Sequence, residues 1–210
     1  MPTMPPWKSR ENFLSIQKHI ECHFSGIQDE HAMKKQVRKR KYKTTEPSTV
    51  DANRAIDLVV DLMKVPGPSC HEEQITKQVC RRLTAAGIPA SAITTDNAHK
   101  KSPAGGSTGN LIVKLPGTIR APRRMLMAHL DTVPLCVGCR PIQRGDSLVS
   151  GNPKTALGAD NRSGVAAILN AVLEIQRKKL PHPPLTLLFT IQEELGLFGS
   201  RFVNVSKLGS

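Results

Sequence analysis

Two short apolar runs, Met125-Leu-Met-Ala128 and Leu185-Thr-Leu-Leu-Phe-Thr-Ile191, each carry the chain directly into metal-seeking side chains: His129 and Asp131 after the first, Glu193 and Glu194 after the second. Both read as strands, and the first, Arg124 to His129, apolar on nearly every position, as a strand covered on both faces of a sheet. Between them, Ser163 to Lys178 sets Val165, Ile168, Leu169, Val172 and Ile175 on one stripe, the pattern of a helix packed on a core. Strand, helix and strand in this order predict an α/β fold, a mixed sheet flanked by helices on both faces. Ligands of such sheets collect beyond the carboxyl ends of the strands, where His129 and the Glu193-Glu194 pair fall.

The surrounding chain fits that frame. Ala52, Ile56, Val59, Val60 and Met63 predict a helix capped by Thr49 or Asp51 and ended by Val65-Pro-Gly-Pro-Ser69. A second helix is expected from His71 to Ala86, with Ser69 as its cap and Gly87 closing it. Asp96 to Gly109 reads as a loop, and Asn110 to Leu115 as a strand stopped by Pro116-Gly117. Residues 135–157, full of turn formers, predict a long surface excursion bordering a site. A last helix is expected to begin around Leu197. His71, His99 and His182 lie outside the signatures and are expected to face solvent.

Residues 1–48 differ from the rest. They hold the basic run Lys34 to Lys43, part of an overall balance of 30 Lys and Arg against 17 Asp and Glu, a net +13. A basic, poorly ordered leader over 1–48 followed by a catalytic-type domain over 49–210 is the expected organisation. A solvated leader without a partner is the plain reading of such a run; nucleic acid is not expected, though the leader leaves it open. Five cysteines at irregular spacing, without a secretory start, predict reduced thiols and a cytoplasmic setting. The Cys136-Val-Gly-Cys139 pair has no second pair at finger spacing and reads as two ordinary thiols. No run is long and apolar enough to span a bilayer, so no membrane contact is expected.

The chemistry lies in three signatures: His129-Leu-Asp-Thr-Val-Pro134, Gly158-Ala-Asp-Asn-Arg-Ser-Gly164 and Glu193-Glu-Leu-Gly196. Taken singly each has a bland explanation. His129 could be a strand-end histidine, Asp160 a helix cap, and the glutamates a solvated turn. Together they suit a site for two divalent cations, most simply zinc, with cobalt or manganese as substitutes. Such a pair activates water and polarises a carbonyl, with one carboxylate bridging the cations and another taking a proton. On spacing, His129 is a ligand, Asp131 the partner fixing its tautomer and Asp160 the bridge. Glu193 and Glu194 are base and ligand, in an order that spacing leaves open.

These motifs, in this order, resemble the co-catalytic zinc peptidases that include peptidase T, carboxypeptidase G and the acetylornithine and succinyl-diaminopimelate deacylases, and their wording is most similar to the peptidase T branch. The resemblance runs from about Ala52 to Val203. It implies that His129 and Glu194 bind metal, Asp160 bridges, Asp131 orients His129, and Glu193 is the general base. It also implies hydrolysis of the N-terminal bond of short peptides, with N-acyl amino acid deacylation as an alternative. Complete members of the family carry a further acidic ligand, a later histidine and a lid or dimerisation domain. After Glu194 this sequence has no Asp, Glu or His. The resemblance therefore implies the N-terminal part of a catalytic domain without its lid, not expected to form the family's homodimer, and reduced or absent activity in this chain. An inactive remnant with a basic binding arm is the remaining alternative.

Overall fold

The structure, a computed structural model, describes residues 51–209, and the leader expected over 1–48 lies outside the described residues. Helix α1 (Ala52–Met63) is capped by Asp51, whose Oδ1 accepts the N–H of Arg54 at 3.1 Å. Helix α2 (Glu73–Ala85) starts two residues later than its pattern predicts. The expected cap Ser69 is absent from its start, because the hydroxyl donates instead to Oδ2 of Asp131 at 2.7 Å. Gly87 closes α2 at φ +89°, a conformation that favours glycine.

Two elements stand where sequence patterns are too short to reveal them. Strand β1 (Ile93–Thr95) has three residues, and helix α3 (Ala98–Lys101), inside the expected loop, has four. Strands β2 (Leu111–Leu115) and β3 (Arg124–His129) follow. The excursion over 135–157 contains a hairpin of β4 (Pro141–Arg144) and β5 (Ser147–Ser150). Then come helix α4 (Ala159–Lys178), strand β6 (Leu185–Thr190) and the short helix α5 (Phe198–Arg201).

The main sheet has the order β1-β2-β6-β3. β1 and β6 run antiparallel to β2, while β3 runs parallel to β6 with Ala128 opposite Phe189 and His129 opposite Thr190. Alternation along the strands divides the side chains between two faces. One face sends Leu111, Val113, Leu115, Leu185, Leu187 and Phe189 into a core shared with Leu58 and Leu62 of α1, Ile75, Val79 and Leu83 of α2, and Val165, Leu169 and Val172 of α4. The C-terminal segment, with α5 and a 3-10 turn at Val205–Lys207, lies along the other face: Thr186 Oγ1 donates to the Leu208 carbonyl at 2.8 Å, and Asn110 Nδ2 to that of Gly199 at 2.8 Å. The mixed sheet with helices on both faces is therefore present.

The two apolar runs differ in burial. Every residue of β6 is buried, as expected for a central strand. β3 is an edge strand, and Met125 and Met127 are each 51% exposed, so the expectation of cover on both faces fails there. His182 also departs from expectation: it is buried, its N–H donating to Thr118 Oγ1 at 2.8 Å, whereas His71 is exposed.

Candidate metal centre

Parallel pairing of β3 with β6 brings the carboxyl ends of both strands to one end of the sheet, and the residues leaving those ends meet. His129 closes β3 with its ring buried. Its Nε2 lies 2.9 Å from Oδ1 of Asp160 and 3.8 Å from Oε2 of Glu193. His129, Asp160 and Glu194 each offer one ligand atom, all within 4.8 Å of one another. The Asp160 side chain is 84% exposed, so the cluster has a buried imidazole on one side and solvent on the other.

Asp160 is available because a neighbour caps the helix. Asp160 and Asn161 have non-helical backbone angles, and Oδ1 of Asn161 accepts the N–H of Gly164 at 3.1 Å, which is the capping role that Asp160 could have filled. Gly158, at φ +74°, turns the chain just before it.

Asp131 is fully buried and does two things. Its backbone carbonyl lies 3.0 Å from Nδ1 of His129, with its own Oδ1 at 3.4 Å, which keeps a proton on Nδ1 and leaves Nε2 facing Asp160. Its carboxylate also accepts the N–H groups of Glu193 (2.9 Å) and Glu194 (3.1 Å), besides the Ser69 hydroxyl. One buried carboxylate thus sets the position of the histidine and of both glutamates. That second task was invisible in the motif, because it is performed by backbone amides.

The electrostatics suit a cation. Burial opposes protonation of His129, but Asp131, Asp160 and Glu193 outweigh it and push its pKa up to about 9. Burial, followed by the charges of Glu193, Asp131 and Asp160, raises the Glu194 carboxyl, against the pull of His129. Asp131 is buried too, yet its hydrogen bonds hold it below the usual carboxylate range. In the metal-free protein a proton on His129 offsets part of the crowded negative charge; a divalent cation would do so more completely. Imidazole with carboxylates, and no thiolate in the cluster, is a donor set for zinc, cobalt or manganese. The donors present fit such an ion.

Further residues shape the site without belonging to the three expected ligand sets. Arg162 is buried, with Nη1 donating to the Leu130 carbonyl at 2.5 Å and Nη2 to that of Val65 at 3.1 Å, and burial lowers its pKa to about 10. An arginine between an aspartate and an apolar helix stripe is the only trace of this in the sequence. Glu72 and Gln192 are fully buried behind the glutamate turn, and burial pushes Glu72 up to about 7. Gln192 holds the Gly-rich loop, accepting from Ser102 Oγ at 2.5 Å and donating to the Gly105 carbonyl at 2.6 Å. Cys136 and Cys139 are free thiols outside the cluster. Beside the cluster lies a cavity of about 210 Å³, lined by Met127, His129, Thr190, Glu193 and Leu197 among others.

Residues 110–207 match the model of peptidase family M28. A segment of 66 residues is 38% identical to peptidase T of Serratia proteamaculans (strain 568), covering 31% of this chain and 16% of that protein. Among solved structures, a tripeptidase from Staphylococcus aureus subsp. aureus mu50 superimposes with TM-score 0.70 at 27% identity, over 78% of this chain and 42% of that one. The aminopeptidase PepT from Bacillus cereus ATCC 10987 gives TM-score 0.68 at 27% identity, over 74% and 40%. The chain therefore spans about two fifths of the length of these solved relatives. Over that part, the chain is similar in sequence and in its mixed α/β sheet to metallopeptidases of the peptidase T type.

Proposed function

We propose that this chain supplies the metal-binding part of a zinc-dependent exopeptidase that removes the N-terminal residue of short peptides in the cytoplasm. The observation that carries the reading is the convergence of His129, Asp160 and Glu194 within 4.8 Å at the carboxyl ends of two parallel strands. The similarity to a tripeptidase and to an aminopeptidase supports the peptide substrate. Among the described residues no helix is long and apolar enough to cross a membrane, which is compatible with that location.

In this reading His129, Asp160 and Glu194 would hold the divalent cations. A bound pair of divalent cations supplies Lewis acidity toward the scissile carbonyl and toward water. Glu193, whose Oε2 is 3.8 Å from Nε2 of His129, accepts the proton of the attacking water and returns it to the departing amine. Asp131 keeps the imidazole oriented and fixes the spacing of the two glutamates through their amides. The neighbouring cavity of about 210 Å³, with Met127 and Leu197 in its lining, suits an apolar substrate side chain.

Calorimetric titration of the 210-residue chain with zinc tests the site. Binding is expected in the parent protein and is lost in Asp160→Ala and in His129→Ala; unchanged binding in both variants would falsify the metal assignment. Hydrolysis of a tripeptide with a free amino terminus, compared with its N-acetylated form, tests the exopeptidase reading. Equal cleavage of the two peptides overturns it.

A further inference from the structure

Glu72 is a carboxylate with no solvent exposure, and no ion pair to it exists among the described residues. A buried charge in that state is costly unless hydrogen bonds hold it. It occupies the position just before the 13-residue helix α2, where an acidic side chain would ordinarily turn back and cap its own helix. It makes no such bond. Its Oε1 instead accepts two backbone N–H groups from outside the helix, that of Cys70 at 3.0 Å and that of Gln192, 120 residues further on, at 3.1 Å. Both donors sit at positive φ, +74° for Cys70 and +53° for Gln192, which side-chain-bearing residues adopt only when something holds them there.

The position of Gln192 gives this bond its meaning. The next two amides along the chain, those of Glu193 and Glu194, are taken by the carboxylate of Asp131. Three consecutive N–H groups are therefore held by two buried acids, the first by Glu72 and the other two by Asp131. We propose that Glu72 is a positioning residue for the metal centre, acting through the Gln192 amide to fix the turn that presents Glu193 and Glu194. This rests on the metal-dependent peptidase reading given above.

The proposal separates acceptor from charge. Only Oε1 is bonded, and Oε2 has no partner among the described residues. Glu72→Gln keeps an acceptor oxygen at the same reach and should behave as the parent. Glu72→Leu fills similar space without an acceptor, and Glu72→Asp keeps the charge but is one methylene short. In metal-free full-length chain, followed by backbone amide hydrogen exchange, the Gln192 and Cys70 amides should exchange at least about tenfold faster in Glu72→Leu and Glu72→Asp, while the central-strand amide of Leu187 keeps its protection. Zinc affinity by calorimetry should fall about tenfold or more in the same two variants and stay within about threefold in Glu72→Gln, the size of effect seen when groups that orient metal ligands are removed.

Parent-like exchange at Gln192, or parent-like zinc affinity, in a folded Glu72→Leu or Glu72→Asp protein overturns the proposal. So does a Glu72→Gln protein as impaired as the other two, since charge would then matter rather than the bond. If Glu72→Leu does not fold, seen as lost protection at Leu187, the comparison of Glu72→Asp with Glu72→Gln decides. If the parent chain binds no zinc, the metal reading fails by itself, and the exchange rates still decide whether Glu72 holds the turn.

Discussion

Nε2 of His129 lies 2.9 Å from Oδ1 of Asp160, joining the buried end of an edge strand to an exposed turn that precedes a helix. In the metal-free protein that contact is a bond to a protonated imidazole, because the surrounding acids push the His129 pKa up to about 9. A cation that takes Nε2 must displace the proton.

Zinc binding is therefore expected to release a proton below pH 9, with affinity rising by about tenfold per pH unit between pH 7 and pH 9 before it levels off. Calorimetry in buffers of different ionisation enthalpy measures the proton count directly. The stability of the metal-free protein should run the other way. A histidine raised from 6.5 to about 9 on folding contributes stability that is complete below pH 6.5 and fades as pH rises through 9. Urea unfolding across that interval should show the loss in the metal-free protein, and its absence in Asp131→Asn/Asp160→Asn, where the partners that raise the pKa are neutral.

Asp131→Asn removes more than a charge. An asparagine has one acceptor oxygen, so it cannot serve the amide of Glu193, the amide of Glu194 and the Ser69 hydroxyl together. At least one buried donor is left unpaired, at about 1–3 kcal/mol. The variant should unfold at lower urea by that amount and bind zinc more weakly, with the loss appearing in affinity even if the fold is intact.

Arg162→Met tests the buried guanidinium below the site. Methionine fills much of the volume but leaves the carbonyls of Leu130 and Val65 without their donor. A destabilisation of about 2–4 kcal/mol is expected, from two hydrogen bonds to a charged group. A thermal unfolding curve indistinguishable from that of the parent would show that water replaces both bonds.

Strands β2, β3 and β6, the helices of more than ten residues, and the placing of His129, Asp131, Glu193 and Glu194 just at or past strand ends with Asp160 ahead of a helix were legible in the sequence. Apolar spacing makes long elements visible, and β6 and α4 were found close to their expected limits. β1 and α3 were missed because three or four residues carry no period. Ser69 looked like a cap for α2 and proved to be a partner of Asp131, since a local rule sees only the nearest helix while the hydroxyl follows the strongest buried acceptor. The exposure of Met125 and Met127 was likewise hidden, because an apolar strand reads the same at the edge of a sheet as at its centre.

By itself the sequence determined which side chains offer histidine and carboxylate donors at or near the strand ends, because hydrophobic period and donor chemistry are properties of short stretches. Only the tertiary structure decided how they are held. The Glu193-Glu194 turn takes its position from Asp131 and Glu72, 62 and 120 residues away from the amides they hold. Those bonds run from side chains to backbone N–H groups, which every residue but proline possesses, and so they leave no mark on the sequence.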